Sequence, residues 1–303
     1  MKEKVEQHLK INNTPNTKTP LKIKAVRLLF ATMGWVLPKP MARFAYRLFT
    51  HPMSRAQHKY SDALLEQAEI FTIPFKKDDL KVYSWGSGDE TILLVHGWES
   101  RGTALRSFVP SLLEQGYRVV TFDAPAHGDS GGDWVNMPLY AEAIRTILLQ
   151  LGKVKSIIAH SFGGSSSVYL LSFMDRSIEL ENLVLIATPS DIQHIFEGFS
   201  KAIHTPPPVR KALYEHIKTI TGIAISDYQL EHFAKKMNVQ NVLIVHDKYD
   251  DIVPFSDGEA YYHALNNSKI HVTEGLGHFK LVKNKAVIEI VSNFVSNSVD
   301  CCH

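Results

Sequence analysis

From residue 70 onward, short apolar runs alternate along the chain with segments long enough to form helices. Residues 70–75 and 80–85 lie close together and predict a hairpin of two strands. The later runs are apolar at nearly every position, which is typical of strands buried on both faces of a parallel sheet. These runs are 91–96, 117–123, 156–160, 183–187, 241–246 and 269–273, and the predicted helices are 101–115, 138–151, 163–175, 256–266 and 281–297. The alternation predicts a doubly wound α/β sandwich.

The interval between the sixth and seventh predicted strands is too long for a plain crossover and too regular for a loop. It contains three consecutive prolines at 206–208 and helical stretches at 192–203 and 211–220. We expect a helical cap at about 189–238, over the edge of the sheet where open α/β sheets bind ligands. Apolar residues at helical spacing in the first stretch either line a pocket or pack the cap helix on the body, and we expect packing.

The chain before residue 70 has a different pattern. Residues 1–20 are rich in Asn, Thr, Lys and Pro and predict a flexible tail. Residues 21–69 begin with two predicted helices that are interrupted at Pro38 and Pro40. The predicted domains are therefore the tail, a basic helical segment at 21–69, and a main domain at 70–303.

Charge is distributed unevenly along the chain, although the totals of 33 Lys and Arg and 31 Asp and Glu nearly balance. Residues 1–60 hold 12 Lys and Arg but only two acidic residues, Glu3 and Glu6. Residues 21–49 either contact an anionic membrane surface or pack as ordinary helices, and we expect packing because their apolar residues spread around the helix. No nucleic-acid partner is expected, since no recognition motif accompanies the basic excess.

The composition, with 45% hydrophobic and 21% charged residues, is that of a globular protein. No apolar run approaches the roughly 18 residues that a membrane-spanning helix needs. Cys301 and Cys302 are the only cysteines, so no disulfide framework is predicted, and no metal ion or other cofactor is expected. We expect a cytoplasmic protein, with membrane association left open.

The residues from Ala159 to Gly163 (Ala-His-Ser-Phe-Gly) connect a buried strand to a helix. This stretch resembles the nucleophile elbow, G-x-S-x-G, of the α/β-hydrolase fold, with Ala159 in place of a glycine. The alternative is a turn whose small residues serve only close packing. The resemblance implies an eight-stranded, mostly parallel sheet flanked by helices, and it makes Ser161 the candidate nucleophile.

Two further segments resemble the same family. His96, Gly97 and Trp98 follow the third strand, as the family's H-G-x segment does. By this match the backbone N–H groups of Trp98 and Phe162 form the oxyanion hole, and His96 is structural. Residues 121–132 resemble the family's D-x-P-G-H-G-x-S turn, whose role is mainly structural.

The resemblance also implies an acid and a base. Asp250 matches the family's acid position after the seventh strand, with Asp247, Asp251 and, more distantly, Asp191 as alternatives. His278 matches the catalytic histidine on the loop after the last strand. The nucleophile, acid and base then follow one another in the family's order.

A serine nucleophile of this kind implies hydrolysis of a carboxylic ester or thioester through an acyl-enzyme intermediate, so a small-molecule acyl ester is the expected substrate. Two alternatives remain open. One is a non-catalytic ligand-binding protein with the same fold, and the other is an acyltransferase or lipase that acts at a membrane surface.

Overall fold

The structure, a computed structural model, describes residues 21–56 and 62–296. The tail predicted at 1–20 and both cysteines lie outside the described residues. Within the described residues the structure has eight strands, in the positions that the apolar runs predict. They are β1 (Glu69–Phe75), β2 (Asp78–Trp85), β3 (Thr91–Val95), β4 (Arg118–Phe122), β5 (Val154–His160), β6 (Glu179–Ile186), β7 (Asn238–Asp247) and β8 (Ser268–Thr273).

The eight strands form one sheet in the order β1-β2-β4-β3-β5-β6-β7-β8. β2 is antiparallel to both β1 and β4, and every other neighbouring pair is parallel. The prediction of a mostly parallel sheet that begins with a hairpin is therefore confirmed. Because β3 to β8 run parallel, their carboxyl ends meet at one edge of the sheet.

Helices connect the strands and precede the sheet. They are α1 (Leu21–Val36), α2 (Pro38–Thr50), α3 (Ala63–Glu66), α4 (Val109–Glu114), α5 (Met137–Leu151), α6 (Phe162–Tyr169), α7 (Ile192–Ala202), α8 (Pro207–Thr221), α9 (Leu230–Ala234), α10 (Phe255–Ala264), α11 (Gly277–Lys280) and α12 (Lys285–Ser296). Shorter helical turns are Gly102–Phe108, Leu170–Met174, Ile225–Asp227 and Leu281–Lys283. Where one helix is predicted at 101–115, a 3₁₀ turn precedes α4, because Pro110 lies in the first turn of α4 and has no N–H to donate.

The chain divides into two compact units. Of the described residues, 52–56, 62–190 and 230–296 form the sheet unit. All five residues of β3 are buried, as are the last four of β4, which explains why most residues of these strands are apolar. Side chains of α4 and α12, including Leu112 and Val291, pack in the core with those strands.

The helical unit comprises residues 21–51 and 191–229. Phe30 of α1 and Ala45 of α2 share a hydrophobic cluster with Phe196 of α7 and Leu213 of α8. The apolar positions of α7 thus pack within this unit. The two predicted N-terminal helices are present, but the break lies only at Leu37, because Pro40 falls in the first turn of α2 where its missing N–H costs nothing.

None of the helices in the described ranges combines the length and the apolar character that crossing a bilayer requires. α1, the most apolar of the N-terminal helices, is 16 residues long.

Candidate active site

Ser161 lies between the end of β5 and the start of α6, at the carboxyl edge of the sheet. Its backbone has φ 54° and ψ −123°, a conformation that costs a non-glycine residue about 1–3 kcal/mol. Hydrogen bonds hold it there: its N–H donates to the Ile186 carbonyl at 2.9 Å, and its own carbonyl accepts from the Gly164 N–H at 2.9 Å. The turn is thus sharp and fixed.

Gly163, two residues beyond the serine, shows why the elbow requires small residues. A Cβ atom at this position would lie 2.3 Å from the His96 carbonyl oxygen and 2.7 Å from that of Val95. Both obstacles are backbone atoms at the end of β3, so they cannot yield by changing a rotamer. Ala159, on the other side of the serine, is fully buried.

His278 connects the other two predicted side chains. It lies in α11, shortly after β8, and is 3% exposed. Its Nδ1 is 2.8 Å from Oδ2 of Asp250, and its Nε2 is 3.0 Å from Oγ of Ser161. Residues separated by more than 100 positions in sequence therefore form one hydrogen-bonded chain.

Asp250 follows β7, and its carboxylate is completely buried. Burial opposes its ionisation, but hydrogen bonds from His278 and from the N–H groups of Val253 and Ile252 lower the pKa of Asp250 below its ordinary value. A charged Asp250 can only accept a hydrogen bond, so Nδ1 of His278 carries the proton and donates to it. Nε2 of His278 is then left unprotonated and accepts a hydrogen bond from the Ser161 hydroxyl.

The three alternative aspartates occupy other positions. Asp247 is buried and accepts hydrogen bonds from the Leu276 N–H at 2.8 Å and the Thr273 hydroxyl at 2.7 Å. It therefore anchors the loop that leads to His278. Asp251 is exposed, and Asp191 caps the N-terminus of α7 in the helical unit.

Two histidines that the sequence analysis did not single out lie beside this chain of hydrogen bonds. The ring of His160 is 4.8 Å from that of His278, and its Nε2 donates to the His278 carbonyl at 3.1 Å. Burial, followed by the proximity of His278, lowers the pKa of His160 to about 3. His246 donates from Nε2 to the Val253 carbonyl at 3.0 Å, next to Asp250. Their position in the sequence could have identified them, because each is a polar residue at the end of an apolar strand.

The predicted oxyanion donors, Trp98 and Phe162, are brought together. Their rings pack edge to face with centroids 5.6 Å apart. Phe162 is the first residue of α6, so its N–H is one of the four that a helix leaves without an internal partner. Trp98 lies on the loop after β3, the strand that neighbours β5 in the sheet, and Ser161 directly follows β5.

His96 and His127 support the Trp98 loop. Nε2 of His96 accepts the Ala124 N–H at 2.9 Å, so its proton is on Nδ1, which donates to the Gly97 carbonyl at 2.7 Å. Nε2 of His127 accepts the Glu99 N–H at 2.9 Å, and burial lowers the pKa of His127 to about 4. Both rings are therefore neutral at pH 7.

The loop at 121–132 is organised around Asp123, which is fully buried. Its carboxylate accepts the Gly102 N–H at 2.7 Å and the Asp129 N–H at 2.9 Å, and its carbonyl accepts the Ser130 hydroxyl at 2.6 Å. Burial raises the pKa of Asp123 to about 6. These contacts are structural, as the resemblance implies.

A surface cavity of about 540 Å³ lies away from the serine. It is bounded by the β1–β2 turn, the loop around Trp134 and the start of α5, and none of Ser161, Asp250 and His278 lines it. In residues 21–56 and 62–296, no three His, Cys, Asp or Glu side chains are grouped as a metal site requires.

A family model described as "Alpha/beta hydrolase family" matches residues 92–290, a range that contains Ser161, Asp250 and His278. The chain belongs to the alpha/beta hydrolase family. A curated hydrolase of Escherichia coli K12, 2-hydroxy-6-oxononadienedioate/2-hydroxy-6-oxononatrienedioate hydrolase, is 24% identical to this chain over a 261-residue alignment. The alignment covers 70% of this chain and 88% of the relative.

Solved structures of the family have the same fold. Alpha/beta hydrolase domain-containing protein 10 from mouse aligns with a TM-score of 0.57 and 16% identity, over 77% of this chain and 99% of that one. Bromoperoxidase from Bacillus anthracis aligns with a TM-score of 0.56 and 19% identity, over 76% of this chain and 100% of that one.

Proposed function

We propose that the protein is a serine hydrolase that cleaves a carboxylic ester or thioester through an acyl-enzyme intermediate. The observation that carries the proposal is the continuous hydrogen-bonded chain from Asp250 through His278 to Ser161, with distances of 2.8 and 3.0 Å. A serine hydroxyl is a weak nucleophile until a base takes its proton, and a neutral imidazole held by a carboxylate is suited to that task.

In the acylation step, Oγ of Ser161 attacks the carbonyl carbon while its proton moves to Nε2 of His278. The carbonyl oxygen becomes negatively charged and accepts hydrogen bonds from the N–H groups of Trp98 and Phe162. Loss of one such donor typically costs about 10²–10³ in rate. The buried carboxylate of Asp250 stabilises the positive charge on His278. His278 then protonates the leaving alcohol or thiol, and the acyl group remains on Ser161.

Deacylation reverses these roles. His278 removes a proton from a water molecule, whose oxygen attacks the acyl carbon. The second tetrahedral intermediate uses the same two N–H donors. Ser161 leaves and recovers its proton from His278, and the carboxylic acid is released. An activated ester or thioester suits this sequence because its leaving group departs more easily than an amine does.

A second candidate substrate class comes from the E. coli relative, whose name specifies 2-hydroxy-6-oxo dicarboxylic acids. An oxo group is a carbonyl electrophile, so the same nucleophile and the same N–H donors suit it. The two classes differ in the bond that is cleaved, and a substrate panel separates them.

The first experiment treats the purified full chain with a fluorophosphonate probe and maps the modified residue by mass spectrometry. We expect modification at Ser161, because only a serine that is deprotonated by a neighbouring base reacts readily. Ser161→Ala should abolish the labelling. Ser177→Ala, at an exposed serine on the same unit, is the matched control and should label as the wild type does. Absence of labelling in the folded wild type would contradict the proposal and favour a ligand-binding protein.

The second experiment measures turnover of p-nitrophenyl esters of increasing acyl length, acyl thioesters and a 2-hydroxy-6-oxo-dienedioic acid. Ester or thioester turnover that disappears in Ser161→Ala would support the proposal. Turnover of the oxo acid alone would replace the ester with the second substrate class. Transfer of the acyl group to an added alcohol in preference to water would identify an acyltransferase.

A further inference from the structure

One face of α1 presents large apolar side chains to solvent. Leu21 is 83% exposed, Leu28 66% and Trp35 61%. These three residues are spaced by seven positions, and because seven residues make nearly two turns, they form one stripe along the helix. Ile23, Phe30 and Gly34 are buried on the opposite side. The exposed stripe is therefore not the face that holds α1 in the helical unit.

The stripe is extended at the end of α1, where Val36 is 72% exposed and Leu37 42% exposed. Scattered single apolar residues on a surface need no explanation, but large apolar residues that recur along one helix face mark an interaction site. We call Leu21, Leu28, Trp35 and Val36 the α1 stripe.

Positive charge surrounds the α1 stripe. Lys22 and Lys24 are exposed and lie on opposite sides of it by helical geometry, and Lys39 follows its end. Residues 21–51 hold six Lys and Arg and no Asp or Glu, whereas residues 191–229 hold four of each sign. The described part of the helical unit thus carries a formal charge of +6, all of it from α1, α2 and their connection.

We propose that the α1 stripe docks onto a bilayer surface that contains anionic phospholipids. Apolar side chains flanked by lysines on a helix that lies in the membrane plane are the usual features of interfacial binding. Tryptophan favours the level of the lipid head groups, and each lysine near an anionic surface adds to the attraction. α1 is too short to span the bilayer and lies along it.

Charge also argues against two other occupants of the α1 stripe. A second copy of the chain would bring two basic surfaces together, and like charges facing one another oppose association. Residues 1–20 carry Lys2, Lys4, Lys10 and Lys18 against Glu3 and Glu6, so the tail has the same sign as the surface it would have to cover. Anionic lipid is the partner with the complementary charge.

The test is co-sedimentation of the full chain with vesicles of phosphatidylcholine alone or of phosphatidylcholine with phosphatidylglycerol. We expect binding to the anionic vesicles that weakens as salt is added. Leu28→Glu should reduce the partition coefficient by about tenfold or more, because it places a negative charge in the centre of the stripe. Leu149→Glu, on α5 of the sheet unit, is the matched control, since Leu149 is also 66% exposed. It should bind as the wild type does.

Lys22→Gln combined with Lys24→Gln tests the charge separately and should weaken binding to anionic vesicles by about tenfold or more. Thermal melting of each variant verifies that it is folded. The proposal is overturned by failure of the wild type to bind anionic vesicles, or by equal binding of Leu28→Glu. A dimer in sedimentation velocity that is lost in Leu28→Glu, without vesicle binding, would assign the stripe to a second copy instead.

Discussion

Four buried histidines should make the fold sensitive to acid. His96, His127, His160 and His246 all have pKa values below the ordinary value, with burial as the main cause. The values reach about 3 for His160 and about 4 for His127. In the unfolded chain these histidines have the ordinary pKa of about 6.5. At pH values between the folded-state pKa values and about 6.5, the unfolded chain therefore binds protons that the folded chain does not, and stability decreases as the pH falls.

The magnitude follows from about 1.4 kcal/mol for each unit of pKa difference. At pH 4 compared with pH 7, His160 and His127 each lower the free energy of unfolding by about 3 kcal/mol. Asp123 acts in the opposite direction, because its pKa is raised to about 6 and the folded chain therefore binds its proton first. The protonation of Asp123 offsets about 2 kcal/mol of this destabilisation. The free energy of unfolding therefore falls by about 4 kcal/mol in total, before the contributions of His96 and His246 are added.

Urea unfolding at pH 7 and at pH 4, followed by circular dichroism, measures this loss. His127→Gln removes one titrating group, so the difference in the free energy of unfolding between pH 7 and pH 4 should shrink by about 3 kcal/mol. His263→Gln changes an exposed histidine and should leave the difference as in the wild type. Equal stability of the wild type at both pH values, or an unchanged difference in His127→Gln, would refute the reasoning.

Three further substitutions test other parts of the site. Asp250→Asn should lower kcat for ester hydrolysis by about 10⁴-fold with little change in stability, because an amide favours the wrong tautomer of His278; unchanged kcat would contradict the role of Asp250. Asp247→Ala should lower the free energy of unfolding in urea by about 2–4 kcal/mol, since it leaves buried donors of the His278 loop without an acceptor; a neutral effect would show that this anchor is dispensable. Gly163→Ala should lower the melting temperature, because its Cβ has no space, whereas Gly198→Ala, where nothing lies within 4 Å, should raise it slightly. Similar melting temperatures for these two glycine variants would refute the crowding argument.

The sheet was predictable from sequence because its strands are buried on both faces. Such burial produces continuous apolar runs, as at residues 92–95 of β3 and 242–245 of β7, and the signal does not depend on a distant partner. The elbow was predictable for a related reason, since the close approach of β3 and α6 at Gly163 leaves room only for a small residue.

Other features depend on contacts between distant parts of the chain. Phe49 of α2 stacks on Phe196 of α7 with ring centroids 4.0 Å apart, and no local pattern links the two residues. The grouping of α1 and α2 with the insertion helices therefore could not be read from periodicity. The anchoring of the His278 loop by Asp247 was hidden for the same reason, because an aspartate after a strand is equally compatible with a simple turn.

The backbone strain at Ser161 is explained by the proposed reaction, which requires the serine side chain to point toward His278 and the start of α6. With a relaxed backbone the chain would leave β5 without turning sharply, and α6 could not begin at the next residue. The positive φ places Oγ at the N-terminus of α6, where unpaired N–H groups and the helix dipole favour negative charge. The same turn brings Oγ to 3.0 Å from Nε2 of His278. A cost of about 1–3 kcal/mol in the folded state thus holds Oγ of Ser161 next to both His278 and the first turn of α6 before any substrate arrives.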